Sequence, residues 1–154
     1  MSRRAQITMS AEEITDFLHG RHTMNVATIN HDGTIHLVAM WYGFTADGRP
    51  AFETFKKSQK VQNLRRDNRI TALVEAGDVY EELKGVELVG TAEVTEDQDV
   101  LIPIARNVVE RYMEGVTEAD KDGVAQMMAR NRAAIVINVD RVVSWDHTKL
   151  GGTY

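Results

Sequence analysis

The spacing of apolar positions changes along the chain, and each change marks an element. From 24 to 29 apolar and polar residues alternate, the period of a strand with one buried face. His31-Asp32-Gly33 follows, and an Asp-Gly pair accepts the positive φ of a hairpin turn. Residues 35–44, rich in aliphatic and aromatic side chains, read as a second strand. Ala46-Asp47-Gly48-Arg49 is another hairpin turn, and 50–55 a third strand. Residues 58–67 read as a short helix with Val61 and Leu64 facing inward. A strand over 70–75 is broken by Gly77-Asp78. From 86 to 94 the chain alternates well, with Val86, Leu88, Gly90, Ala92 and Val94 on one face. Two helices follow, over 98–113 and 117–130, with Met127 and Met128 of the second read as core filling. The last strand, 133–143, puts Ile135, Ile137 and Val139 on one face, and 144–154 is a polar tail. Ahead of all these, Ser10 and Glu13 make a capping box for a helix through Ile14, Phe17 and Leu18, which Gly20 ends.

Consecutive hairpins mean antiparallel pairing. About six strands with few helices predict a mainly β (α+β) fold, a small closed barrel with helices packed outside. No glycine-rich dinucleotide fingerprint follows any strand, and the order does not fit a doubly wound parallel sheet. Neither a repeat nor a linker interrupts the 154 residues, which fit one domain.

Composition narrows the chemistry. The chain has no cysteine, which removes disulfides, thiolate metal sites and cysteine nucleophiles, and fits a cytoplasmic protein. Residues 1–10 lack the apolar stretch of a signal peptide, and no segment suits a bilayer. A net charge of −5 argues against a general nucleic-acid binder. Yet 56–69 holds six basic residues against one acid, Asp67. A basic patch concentrated on an acidic chain suits a small anionic ligand better than a long polyanion.

Two segments carry candidate chemistry. The first runs from a strand through Thr54-Phe55-Lys56-Lys57-Ser58-Gln59-Lys60 into a helix. Lysines at a helix N-terminus oppose its partial positive charge, and they make sense where an anion is bound between them. A solvated basic helix start explains them about as well. The second is His36-Leu37-Val38-Ala39-Met40-Trp41, which can offer backbone groups and a flat apolar face to a tricyclic ring, or can equally be a core strand. His19 and His22 lack the glutamate of a zinc-protease helix, which argues against a metal site. Ser58 has no evident histidine and aspartate partners for nucleophilic catalysis.

The Asp32-Gly33 turn, the strand beginning at His36, Ser58-Gln59-Lys60 and Asn63-Leu64-Arg65-Arg66-Asp67-Asn68-Arg69 together resemble the pyridoxamine-phosphate-oxidase-like split barrels. More narrowly, they are similar to the actinobacterial flavin/deazaflavin oxidoreductases of the B group. That resemblance implies a six-stranded antiparallel split β-barrel of the FMN-binding type with peripheral helices. It also implies a homodimer whose interface builds two cofactor sites, and coenzyme F-420 or FMN as cofactor. Carried over by position, Lys60 meets the cofactor phosphate with help from Ser58 and Lys57, and Thr54, Phe55 and Lys56 line the phosphate and ribityl path. His36, Leu37, Val38 and Ala39 run along the ring. Gly77, Asp78, Val79 and Tyr80 approach from a strand end or from the partner subunit, and Trp145 covers the ring. Two departures stand out. Relatives often carry arginine near position 58, and the arginine-rich C-terminal signature of true pyridoxamine-phosphate oxidases is not visible after Ser144.

The leading expectation is therefore an F-420-dependent reductase that passes a hydride to an unsaturated small-molecule acceptor. Tyr80, His147, Lys57 or solvent would supply the proton. An FMN-dependent oxidase or reductase and a non-catalytic cofactor- or haem-binding protein are the alternatives.

Overall fold

The computed structural model describes residues 2–152. Short helix α1 (Arg3–Ile7) and α2 (Ala11–His19) lead into strands β1 (Met24–Ile29), β2 (Ile35–Met40), β3 (Gly43–Phe44) and β4 (Pro50–Phe55). Helix α3 (Gln59–Arg66), strands β5 (Arg69–Ala76) and β6 (Lys84–Thr95), helices α4 (Gln98–Tyr112) and α5 (Lys121–Ala129) and strand β7 (Arg132–Asp146) complete it. Ser10 accepts from the Glu13 amide while Glu13 reaches back to the Ser10 amide, so the capping box forms as read. No helix among the described residues is long and apolar enough to cross a membrane.

The strands form one antiparallel sheet of order β2-β1-β5-β6-β7-β4-β3. β2 and β3 occupy its opposite edges, yet only Trp41 and Tyr42 separate them in the chain. Consecutive Cα atoms are about 3.8 Å apart, so the sheet must curl until its edges nearly meet. The strand read over 35–44 is thus two strands around a corner, and the sheet has seven strands rather than six. Tyr42 plugs the corner: it is fully buried and its hydroxyl donates to the Leu18 carbonyl at 2.5 Å. Burial pushes its pKa up to about 12. Arg111 of α4 locks the same corner, donating to the carbonyls of Tyr42 at 3.0 Å, His19 at 3.1 Å and Gly20 at 3.0 Å. These last two are carbonyls that the end of α2 leaves without helical partners.

The inward faces of the strands fill the barrel around Met24, Val26, Phe52, Val74, Leu88 and Ile135. A second cluster, including Ala51, Leu101, Ile104 and Val136, packs α4 on the outside of β4 and β7. Four further readings are corrected. β7 runs on to Asp146, because 144–146 continue pairing with β6 instead of starting a tail. A bulge leaves Asp140 unpaired between Val139 and Arg141, so Val139, 37% exposed, does not share the burial of Ile135 and Ile137. Helix α5 begins at Lys121 rather than at 117, and Met127 on it is exposed, not core filling.

Candidate functional site

Where the curled edges approach, they do not pair. β2 bonds only to β1, and β4 meets β3 only through Pro50 and Ala51. The outer edge of β2 and the edge of β4 beyond Ala51 therefore keep unpaired backbone groups along a seam. A cavity of about 310 Å³ spans it, with Ala39, Met40 and Trp41 on one lip and Glu53, Arg132 and Met128 on the other. Trp41, half-exposed, stacks on Tyr112 at 5.1 Å. The lower end of the seam is closed by α3: Asn63 donates to Thr28 Oγ1 at 3.0 Å, and Thr28 is paired with His36. The two segments singled out in the sequence, 36–41 and 54–60, are the two sides of this seam.

Within β2 the candidate residues do not share a face. Leu37 and Ala39 point outward and are exposed, whereas Val38 and Met40 pack against the core. A ring lying along this strand would meet its edge rather than a flat side-chain surface.

The start of α3 holds the most unusual polar groups. Ser58 is the N-cap residue, but its hydroxyl does not cap the helix; Ser58 Oγ is buried with no hydrogen-bond partner among the described residues. Lys60 is 8% exposed and donates to a single acceptor among the described residues, Thr54 Oγ1, at 3.1 Å. Burial of the ammonium lowers its pKa. The first amides of α3 lack intrahelical acceptors, as at any helix start. An orphaned hydroxyl, a half-satisfied ammonium and free amides on one turn are the donor set that a phosphate group would satisfy. The three lysines separate here. Lys56 is neutralised by Glu96 at 3.2 Å, which also takes Arg65 at 2.9 Å, while Lys57 is exposed with no partner among the described residues. Phe55 is exposed and lies beneath the Arg132 guanidinium.

The other candidates sit elsewhere. Gly77, at φ 106°, starts an exposed loop through Asp78 and Val79 to a 3-10 turn at Tyr80–Glu82. His147 pins this loop, its amide donating to the Leu83 carbonyl at 2.9 Å and its Nδ1 lying 2.8 Å from the Tyr80 carbonyl. β5 has eight residues, so the loop lies about 26 Å from the α3 end of that strand. One chain does not bring 77–80 to Lys60. Trp145 lies flat over Gly85, where a Cβ would come within 2.1 Å of the indole. It shares a groove of about 330 Å³ with Leu37, Ala27, Leu73 and Glu87 on the outer face of the sheet. Sequence reasoning missed Glu53 and Arg132, and quoted Asn63 only as part of the run that carries the resemblance. The local signal for Glu53 was an acid inside the mostly apolar run 50–55.

A curled antiparallel sheet with a helix start and an open seam at its edge defines a split barrel. The family model described as pyridoxamine 5'-phosphate oxidase matches residues 10–146, and the chain belongs to that family. The conserved hypothetical protein Rv2991 of Mycobacterium tuberculosis is 44% identical, covering 100% of this chain and 95% of that one, with a TM-score of 0.89. An F420 reductase shares the fold at 24% identity, covering 82% of this chain and 93% of its own, with a TM-score of 0.59. So does the haem storage protein HutZ of Vibrio cholerae, at 16% identity, 87% and 94% coverage and a TM-score of 0.66. No curated protein matches the chain.

Proposed function

We propose that the protein is a coenzyme F-420-dependent oxidoreductase, acting as a homodimer on an unsaturated small-molecule acceptor. The observation that carries this reading is the buried, unpartnered Ser58 hydroxyl beside the under-satisfied Lys60 ammonium at one end of the seam. There Ser58, Lys60 and the first amides of α3 bind the cofactor phosphate, with Lys57 adding charge at the rim. The unpaired edge of β2 from His36 to Ala39 orients the ring system along the seam, and Trp41 walls its far end. A reduced deazaflavin supplies a hydride when bound. The chain's part is to hold the ring at a fixed depth and to keep water from it. Membership of a family that includes oxidases and the fold shared with an F420 reductase support the reading.

The dimer rests on the uncovered outer face of the sheet. Ile35 is 60% and Leu37 67% exposed, and the grooves beside them continue over Ile29, Ala27, Thr71 and Leu73. A solvated antiparallel face is normally polar, and an apolar patch of this kind marks an interface. In this reading a second copy seated there supplies its 77–80 loop and Trp145 to the neighbouring seam; within one chain that loop lies at the far end of β5, about 26 Å along the strand.

The test is a fluorescence titration with F-420 and with FMN, on the wild type and on Lys60→Ala. F-420 binding at micromolar or tighter Kd, weaker FMN binding and a loss of about tenfold or more in the variant are expected. Tighter FMN binding would move the protein to the flavin oxidases. Binding of neither by the folded protein would overturn the reading.

A further inference from the structure

The cavity at the Trp41 end of the seam contains a charge pair that cofactor binding leaves unused. Glu53 lies in β4 with its side chain 4% exposed, and Arg132, at the start of β7, donates to it through Nη1. Burial raises the Glu53 pKa and the guanidinium opposes that rise. A pair so buried adds little stability, because desolvating both charges offsets most of their attraction, and an apolar pair of equal volume is often as stable. Its presence calls for another reason.

The guanidinium is held for use. Its carbon lies 4.5 Å from the Phe55 ring centroid, so the ring covers one flat side. Of its five N–H donors, only one meets a protein acceptor among the described residues. Asn131, in the left-handed region at φ 57°, sets where β7 begins, and its carbonyl accepts the Lys56 amide at 3.0 Å. Asparagine tolerates that conformation. The ends of β4 and β7 are thereby tied together under Arg132. The cavity that Arg132 and Glu53 line is otherwise walled by Ala39, Met40, Trp41 and Met128. Apolar and aromatic walls with one planar cation suit a conjugated body carrying a planar two-oxygen anion, which a guanidinium fork grips through two parallel bonds.

The geometry points to Arg132 as a specificity-determining residue that docks the carboxylate of an unsaturated or aromatic acid in this cavity, with Glu53 as the residue that positions its guanidinium. This rests on the seam being the cofactor site, because the acid is the acceptor that would lie beside the ring.

The test uses 19F NMR line broadening of 4-fluorobenzoate and of its neutral isostere 4-fluorobenzamide with the full chain. The wild type is expected to bind the benzoate about tenfold or more tightly than the amide. Arg132→Met removes the difference. Since that change strands the Glu53 charge, the double variant Glu53→Gln/Arg132→Met serves as the folded control and should behave alike. Glu53→Gln alone lowers the benzoate-to-benzamide ratio without weakening benzamide, whereas a merely structural loss would weaken both. Equal or absent binding of the two probes by the wild type, or undiminished preference for benzoate in the double variant, overturns the proposal. Circular dichroism checks that the double variant is folded, and F-420 is titrated in parallel with the wild type. Failure of the wild type to bind F-420 would count against the cofactor reading, while the benzoate preference would still decide the role of Arg132.

Discussion

Replacing Lys60 with methionine should move stability and ligand affinity in opposite directions. The ammonium is buried and its one acceptor among the described residues is Thr54 Oγ1. An ammonium has three donors, and leaving buried donors unmet costs about 1–3 kcal/mol, more where they are charged. Methionine matches the stem in length and removes that cost, while the Thr54 hydroxyl loses a bond worth about 1 kcal/mol. The balance is a gain of about 1 kcal/mol, or a Tm higher by about 2–4 °C in a chain of this size. The sign with pH follows from burial. Because the folded pKa lies below the ordinary 10.5, the unfolded chain binds more protons between the two values, and wild-type stability rises with pH there. The cost of the buried charge is fully present below the folded pKa and is gone above 10.5. The advantage of Lys60→Met is therefore largest at neutral pH and fades in alkali. Affinity goes the other way: losing a charge-assisted bond to phosphate costs about 1.5–3 kcal/mol, roughly 10- to 150-fold in Kd. Thermal unfolding at pH 7 and pH 10, with an F-420 titration, reads all three effects. A variant that melts lower than the wild type at pH 7 and binds F-420 as well would make Lys60 a structural residue and refute the reasoning.

Three further outcomes are expected. Ser58→Ala should leave the unfolding free energy within about 1 kcal/mol of the wild type, because the hydroxyl meets no partner among the described residues, yet weaken F-420 about tenfold in the same titration. The wild type should sediment as a dimer and Leu37→Arg as a folded monomer; a monomeric wild type would remove the interface placed on this sheet face. Gly90→Ala should lose about 1–3 kcal/mol in urea unfolding, because its Cβ would fall 1.9 Å from the Asn138 carbonyl oxygen and the partner there is backbone that cannot rotate away.

Much of the local structure was legible because short-range rules set it. The Asp32-Gly33 and Asp47-Gly48 turns, the Ser10–Glu13 box and the buried face of β6 depend on neighbours within a few residues, and all formed as read. The lysine-rich entry to α3 was also visible, and Lys60 and Ser58 lie together at the seam. Lys56 also has a partner that no local pattern carries: Glu96, 40 positions along, pairs with it across the fold.

Sequence alone determined the order of most strands and helices and that a compact basic segment opens α3, since periodicity, turn chemistry and charge are properties of neighbouring residues; it did not show α1 or the ends of β2, α5 and β7. Tertiary structure decided the rest. The corner at Trp41-Tyr42 is forced by barrel closure, because β2 and β3 must reach opposite edges of one sheet, and an apolar run of ten residues does not show where it bends. Closure also creates the seam and brings Glu53 and Arg132 together from 79 positions apart. It leaves Gly77 to Tyr80 at the far end of β5 from Lys60. Those distances follow from how the sheet curls, which long-range packing sets and no window of the chain contains.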